Sequence, residues 1–276
     1  MQVHPIMHKS STIFCVTGED NHLYLRGKLT PADWDSEILG FSCAKIEIYR
    51  HTDRYHKDYS DYLVCLMDRL LAYADAQGYD FLSIRTDHDV RLFQCLAQYN
   101  FNFVESQLTF NRSLSKRDHP PTLGPVETRL ARQDDLEACQ RIADVALTQS
   151  RYHSDPNIGC ELGRRIKREW VKSNLSGRAR CYVACIDHQV VGFIQLRETF
   201  DEDASVIDLI AVDPSFQRRG VGKSLVNQAF VHYWNVMLGH VNLHVSTQAQ
   251  NISAVRFYER MDFLLIEAQN TFHRWF

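Results

Sequence analysis

The sequence predicts an α/β fold in two parts, and three observations carry that prediction. An apolar strand, Val206-Ile207-Asp208-Leu209-Ile210-Ala211-Val212, runs into the turn Gln217-Arg218-Arg219-Gly220-Val221-Gly222, and a helix with Leu225, Val226, Ala229 and Phe230 on its apolar face follows at once. Strand-like and helical periodicities alternate from residue 126 to the end of the chain. Residues 113–125 combine charge, the pair Pro120-Pro121 and Gly124, a mixture that neither a helix nor a central strand accommodates. The break is placed there, between an N-terminal part at 1–115 and a C-terminal part at 125–276. A chain of 276 residues, 45% of them hydrophobic, is long enough for two cores.

In the C-terminal part, residues 126–131 read as a strand. Residues 134–147 read as a helix with Leu136, Cys139, Ile142, Ala143 and Ala146 on one face. A second helix is predicted over 160–174, then a hairpin of 181–186 and 190–197 turning at Asp187-His188-Gln189. The 206–212 strand, the glycine-bearing turn and a helix to about residue 238 come next. A strand at 241–246, a helix opening at Asn251 and a closing hairpin through Phe276 complete the part.

The N-terminal part carries a quieter signal. Asn100-Phe-Asn-Phe-Val-Glu-Ser-Gln-Leu-Thr-Phe110 parallels Asp262-Phe-Leu-Leu-Ile-Glu-Ala-Gln-Asn-Thr-Phe272, and Glu105, Gln107, Thr109, Phe110 and Arg112 all match at one offset. An apolar helix precedes each copy, so the first part reads as a degenerate repeat of the second. Leu96 stands at the Tyr258 position, and no glycine turn lies upstream of it. The expected task of this part is scaffolding and a wall of the substrate site.

Composition excludes several classes. A net charge of −3 does not suit a nucleic-acid binder. Residues 1–11 lack the apolar stretch of a signal peptide, and no apolar run approaches membrane-spanning length, so a cytoplasmic protein without a membrane partner is expected. The eight cysteines show no C-x-x-C pair and the 13 histidines are dispersed, so no metal is expected and the thiols read as buried and reduced.

Glycines let backbone approach an anion closely, and a helix N-terminus offers unpaired N–H groups and the positive end of its dipole. The turn at 217–222 is therefore a diphosphate cradle. Its Q-x-x-G-x-G spacing is neither the Rossmann fingerprint nor a P-loop. With the preceding Leu209-x-Ala211-Val212 strand and the later Asn251-x-x-Ala254-x-x-x-Tyr258 helix, it resembles the GCN5-related N-acetyltransferase (GNAT) family. The resemblance implies a mixed, mostly antiparallel central sheet flanked by helices, with a degenerate GNAT-like half before it. It also implies acetyl-CoA as co-substrate and an amine as acceptor. Trp34-Asp35-Ser36-Glu37-Ile38-Leu39-Gly40-Phe41 resembles a W-D-S-x-x-F-G segment of two-part GNAT enzymes that act on nucleotide-linked amino sugars, in the TDP-fucosamine acetyltransferase group. Leu39 stands where that segment has an aromatic. Support comes from Ala146-Leu-Thr-Gln-Ser150-Arg151-Tyr152, Trp170 and Gly192-Phe-Ile-Gln-Leu-Arg197-Glu198.

The resemblance assigns roles residue by residue. Backbone groups of Gln217, Arg218, Arg219, Gly220, Val221, Gly222 and Lys223 would hold the diphosphate. Those of Ile210, Ala211 and Val212 would pair with the pantetheine arm as a strand would, and Asn251 would help position it. Tyr258, a phenol whose ordinary pKa is about 10, would protonate the leaving thiolate. Asp208 and Glu198 are candidates for the base side, with His153 nearby, since the family's glutamate position is Val206 here. Trp34, Phe41, Arg151, Tyr152 and Arg197 are candidates for the acceptor. The expected activity is direct transfer of acetyl to the amine of a nucleotide-linked amino sugar in bacterial surface-glycan synthesis, in a chain for which a homodimer stays open. Two alternatives are a GNAT acting on a protein N-terminus or lysine, and a non-catalytic acetyl-CoA-binding regulatory module.

Overall fold

The structure is a computed structural model that describes residues 2–8, 11–17, 22–51, 58–115, 117–199, 204–236 and 241–276. The chain forms two compact units, Met1–Ser106 with Ala268–Phe276, and Gln107–Glu267.

The first unit opens with β1 (Gln2–His8), β2 (Ser11–Thr17), β3 (Leu23–Pro31), α1 (Asp33–Leu39) and β4 (Cys43–Arg50). It continues through α2 (Tyr59–Ala76), β5 (Phe81–Thr86), α3 (Val90–Gln98) and the first residues of β6 (Asn102–Leu114). The second unit holds β7 (Glu127–Leu130), α4 (Leu136–Ala146), α5 (Arg151–Ser154), α6 (Gly159–Ser173), β8 (Arg180–Ile186) and β9 (Gln189–Thr199). It ends with β10 (Ala204–Val212), α7 (Val221–Val236), β11 (Val241–Gln248), α8 (Ile252–Arg260) and the start of β12 (Leu264–Trp275).

The two units share one topology. In the first the sheet runs β1-β2-β3-β4-β5 and is closed by the end of β12. In the second it runs β7-β8-β9-β10-β11 and is closed by the end of β6. Each sheet is antiparallel except for one parallel pair, β4 with β5 and β10 with β11. A parallel pair needs a crossover, and α2 and α7 supply it. The sheets are therefore mixed and mostly antiparallel, with helices packed on them, as the sequence implies.

Two features differ from the reading of the sequence. Residues 117–126 contain no helix or strand, yet the units part elsewhere, between Ser106 and Gln107 inside β6 and between Glu267 and Ala268 inside β12. The expected closing hairpin is one unbroken strand, since residues 264–275 hold no glycine or proline that would turn it.

In the second unit α7 sets Leu225, Val226, Ala229 and Phe230 against Ile194, Leu196, Ile207, Leu243 and Val245. The opposite face of the sheet packs Phe193, Leu209 and Ala211 against Cys139, Ile142 and Ala143 of α4 and Val171 of α6. Each buried Val, Leu, Ile or Phe side chain among these contributes about 1.5–3 kcal/mol. In the first unit, Leu63, Leu66, Met67 and Leu70 of α2 pack on Leu25, Leu29, Ile46 and Ile84.

Candidate active site

The site of the second unit is built where β10 hands over to α7. β10 pairs with β11 only from Ser205 to Ile207, opposite Leu243 to Val245, whereas β10 itself runs on to Val212. From Leu209 onward, β10 keeps β9 on one side and, among the described residues, has no partner on its β11 side. Open backbone of this kind pairs with any extended chain laid beside it.

At the end of that edge, Asp213 accepts the Ser215 amide at 2.9 Å and caps a short 3-10 turn at Pro214–Phe216. The chain then enters the left-handed region at Arg218 (φ +60°) and Gly220 (φ +83°). The Gly220 carbonyl accepts the Ser224 amide at 2.9 Å and the Ser224 hydroxyl at 3.1 Å, which fixes the first turn of α7. Backbone N–H groups from Arg218 to Lys223 make no hydrogen bond to another described residue. Such a run of unused donors at a helix N-terminus fits a diphosphate. Arg218 and Lys223 are exposed beside it, and the Arg219 guanidinium lies over the Phe216 ring at 5.2 Å.

Tyr258 sits in the same apolar cluster as Ile210 and Val212. Its ring is only 4% exposed and meets Phe257 at 5.4 Å, Phe263 at 5.7 Å and Phe110 at 5.9 Å between centroids. Burial raises its pKa above the ordinary phenol value, and its hydroxyl makes no hydrogen bond to another described residue. A protonated, uncommitted hydroxyl in an apolar wall suits an acid. Asn251 caps α8, its side-chain oxygen accepting the Ala254 amide at 3.2 Å.

Asp208 is the extra residue of a bulge. β10 pairs Ile207 with Leu196 and then Leu209 with Gln195, so Asp208 has no partner of its own. Its carboxylate accepts the Trp170 indole N–H and the Asn174 side-chain N–H, each at 2.7 Å, and Arg197 Nε lies 3.2 Å from its other oxygen. Glu198 belongs to β9, but its side chain lies outside the described residues.

The acceptor candidates fall in both units. Arg151 stacks over the Tyr152 ring at 4.5 Å and donates to its hydroxyl, and Tyr152 is buried. His153 Nδ1 bonds the Ser150 hydroxyl at 2.8 Å; burial first, then Lys167 and Arg164, hold its pKa below the ordinary value. Trp34 and Phe41 belong to the first unit, where Phe41 meets Trp275 at 4.8 Å and Phe81 at 5.9 Å. Against the expectation that the thiols are buried, Cys160 is exposed, while burial raises the pKa of Cys185. Asn174 and Gln195, both buried polar residues, were not singled out from the sequence. The signal for them was a lone carboxylate inside an apolar strand, which demands donors.

The first unit offers a counterpart. β4 pairs with β5 only through Ile46 and Ile84, while β4 runs on to Arg50. Here Asp89, the N-cap of α3, takes the place of Asn251. Its Oδ2 accepts from Arg50 Nη1 at 2.9 Å and from the Tyr59 hydroxyl at 2.8 Å. The protein's own side chains span the gap.

Among the described residues, no helix is long and apolar enough to cross a membrane, and no three His, Cys, Asp or Glu residues are grouped to hold a metal ion. The profile of the Acetyltransferase (GNAT) family matches residues 145–263. The spore coat polysaccharide biosynthesis protein SpsD of Bacillus subtilis (strain 168) is 32% identical over 177 residues, 63% of this chain and 58% of that protein. The chain thus spans less than two thirds of that relative's length. A GCN5-related N-acetyltransferase from Sphaerobacter thermophilus is similar in structure at a TM-score of 0.61 and 13% identity, over 95% of this chain and 80% of its own. A tandem GNAT protein from the clavulanic acid biosynthesis pathway is similar at a TM-score of 0.59 and 11% identity, over 96% of this chain and 82% of its own.

Proposed function

We propose that this chain, whose residues 145–263 match the GNAT acetyltransferase family, transfers acetyl from acetyl-CoA to the amine of a nucleotide-linked amino sugar. The observation that carries the reading is the conjunction of three features in one unit. Among the described residues, the amides from Arg218 to Lys223 have no acceptor, β10 has no partner strand on its β11 side beyond Ile207, and the hydroxyl of the buried Tyr258 makes no hydrogen bond.

Acetyl-CoA supplies the acetyl group as a thioester. The turn amides hold the diphosphate, with Gln217, Arg218 and Arg219 at its rim. Backbone groups of Ile210, Ala211 and Val212 pair with the pantetheine arm, and an N–H on that edge stabilises negative charge developing on the thioester oxygen. The amine nitrogen bonds to the carbonyl carbon as the carbon–sulfur bond breaks. Tyr258 gives its proton to the departing sulfur, and the amine's proton leaves toward Glu198 or solvent. Asp208 is less suited to take that proton, because its carboxylate is already surrounded by donors.

Similarity to SpsD supports a sugar-linked acceptor, and Trp34, Phe41, Arg151, Tyr152 and Arg197 are the residues proposed to meet it. The reaction is proposed to occur in the cytoplasm. The test is thiol release from acetyl-CoA, with mass spectrometry of the acceptor, across TDP- and UDP-linked amino sugars and peptides bearing free amines. Acetylation of a nucleotide sugar supports the reading. Acetylation of peptides alone transfers it to a protein-directed GNAT, and binding without turnover on any amine points to a regulatory module.

A further inference from the structure

We infer that Trp170 and Asn174, with Arg197, are positioning residues for the acetyl donor: by holding the Asp208 carboxylate they pin the β10 bulge, and so set which backbone groups of Ile210, Ala211 and Val212 face the open edge. The inference rests on the proposed use of that edge.

A carboxylate inside the strand Val206-Ile207-Asp208-Leu209-Ile210 is costly to bury unless donors meet it. The Asp208 side chain is 6% exposed, and Trp170 and Asn174 supply donors from α6 and the wide turn that closes it. Asn174 also donates to Gln195 Oε1 at 2.8 Å, and Gln195 Nε2 donates to the Val171 carbonyl at 3.1 Å. Gln195 faces Leu209, the first pair beyond the bulge. The network therefore ties α6 to both strands at the point where their register slips. Asn174 is fully buried with its own Oδ1 unpartnered. The opposite amide orientation would set an oxygen against two acceptors, so its two donations dictate the arrangement.

The consequence for the edge is geometric. Ile207 packs in the cluster on the α7 side and Leu209 in the cluster on the α4 and α6 side, although the two lie two residues apart. Asp208 and Leu209 thus point to one face. Backbone groups of successive residues point to alternate edges of a strand, so one extra residue exchanges the edge that every later N–H and C=O addresses. Without the bulge, the backbone groups of Ile210 and Val212 and those of Ala211 would exchange edges, so different residues would face the gap.

The test compares Trp170→Phe and Asp208→Asn with wild type, using two probes. Acetyl-CoA spans both the edge and the turn, whereas adenosine 3′-phosphate 5′-diphosphate reaches only the turn. Calorimetry is expected to show acetyl-CoA affinity falling about tenfold in both variants, the scale of a lost hydrogen bond to a charged group. The adenosine fragment should keep its affinity, and the double variant should be no worse than Asp208→Asn alone. Equal losses for both probes would mean general loosening and would overturn the inference. So would unchanged acetyl-CoA affinity in variants that melt like wild type. A wild type that binds no acetyl-CoA would instead sink the reading of the site itself.

Discussion

Leu96 and Tyr258 hold the same place in two copies of one helix end. The Leu96 carbonyl accepts the Phe101 amide at 2.9 Å and the Tyr258 carbonyl accepts the Phe263 amide at 3.0 Å. Left-handed Asn100 and Asp262, at φ +60° and +59°, make the two turns. The repeat therefore extends from sequence into hydrogen bonding, while the side chain that could donate a proton survives in one copy.

The first prediction follows from what fills the other copy. Asp89, just past β5, bonds Arg50 at the end of β4 and Tyr59 of α2, so among the described residues the protein's own side chains bridge that opening. Titration should find one acetyl-CoA per chain. Gly220→Asp should abolish it, because an aspartate must adopt φ +83° and brings negative charge to the anion turn. Two sites in wild type, or one left in the folded variant, would contradict this.

Gly222 makes a separate demand. A Cβ there would stand 3.3 Å from Phe257 Cζ, so this glycine lets α7 approach α8. Gly222→Ala should lower the melting temperature by a few degrees, the shift expected of about 1 kcal/mol, with acetyl-CoA still binding. Thermal melts with and without ligand check both halves of that expectation.

Strand exchange sets a third expectation. A fragment of residues 125–276 lacks the β6 residues that pair with β11 from Val241 to Gln248, and it also loses Phe110 from the core. The fragment should show no cooperative melt, since β11 is left as an open edge and a large aromatic is missing. A sharp transition like that of the full chain would disprove the dependence.

How far the sequence foretold this arrangement varied with the physics involved. The glycine turn was legible because a positive φ and a close approach need glycine, and both needs are local. The helix faces of α4 and α7 were legible from period alone. The exchange of β6 and β12 was not, because the two strands are near copies: Glu105, Gln107, Thr109, Phe110 and Arg112 match their partners, so pattern alone lets either strand close either sheet. The Asp208 bulge escaped for a related reason. Register depends on the partner strand, and the donors Trp170 and Asn174 come from a helix far away in sequence.

Acid should weaken the fold through His153. Its imidazole is held below its ordinary pKa by burial and by Lys167 and Arg164. The folded protein thus takes this proton less readily than the unfolded chain does. Its contribution is intact above about pH 6.5 and falls as the pH drops below that value. Denaturant melts from pH 7 to pH 5 should show a smaller loss in His153→Asn than in wild type. Equal slopes would remove His153 from the account.

The most direct test of the central claim is turnover of Tyr258→Phe at saturating acetyl-CoA and acceptor. Removing the hydroxyl should leave acetyl-CoA affinity close to wild type and cut kcat by about a hundredfold or more, the range of a positioned acid. In wild type the alkaline limb of kcat should lie above pH 10, because burial raises the phenol above its ordinary value. A variant that turns over as fast as wild type would contradict the assignment of Tyr258 as the acid, as would one that loses affinity alone.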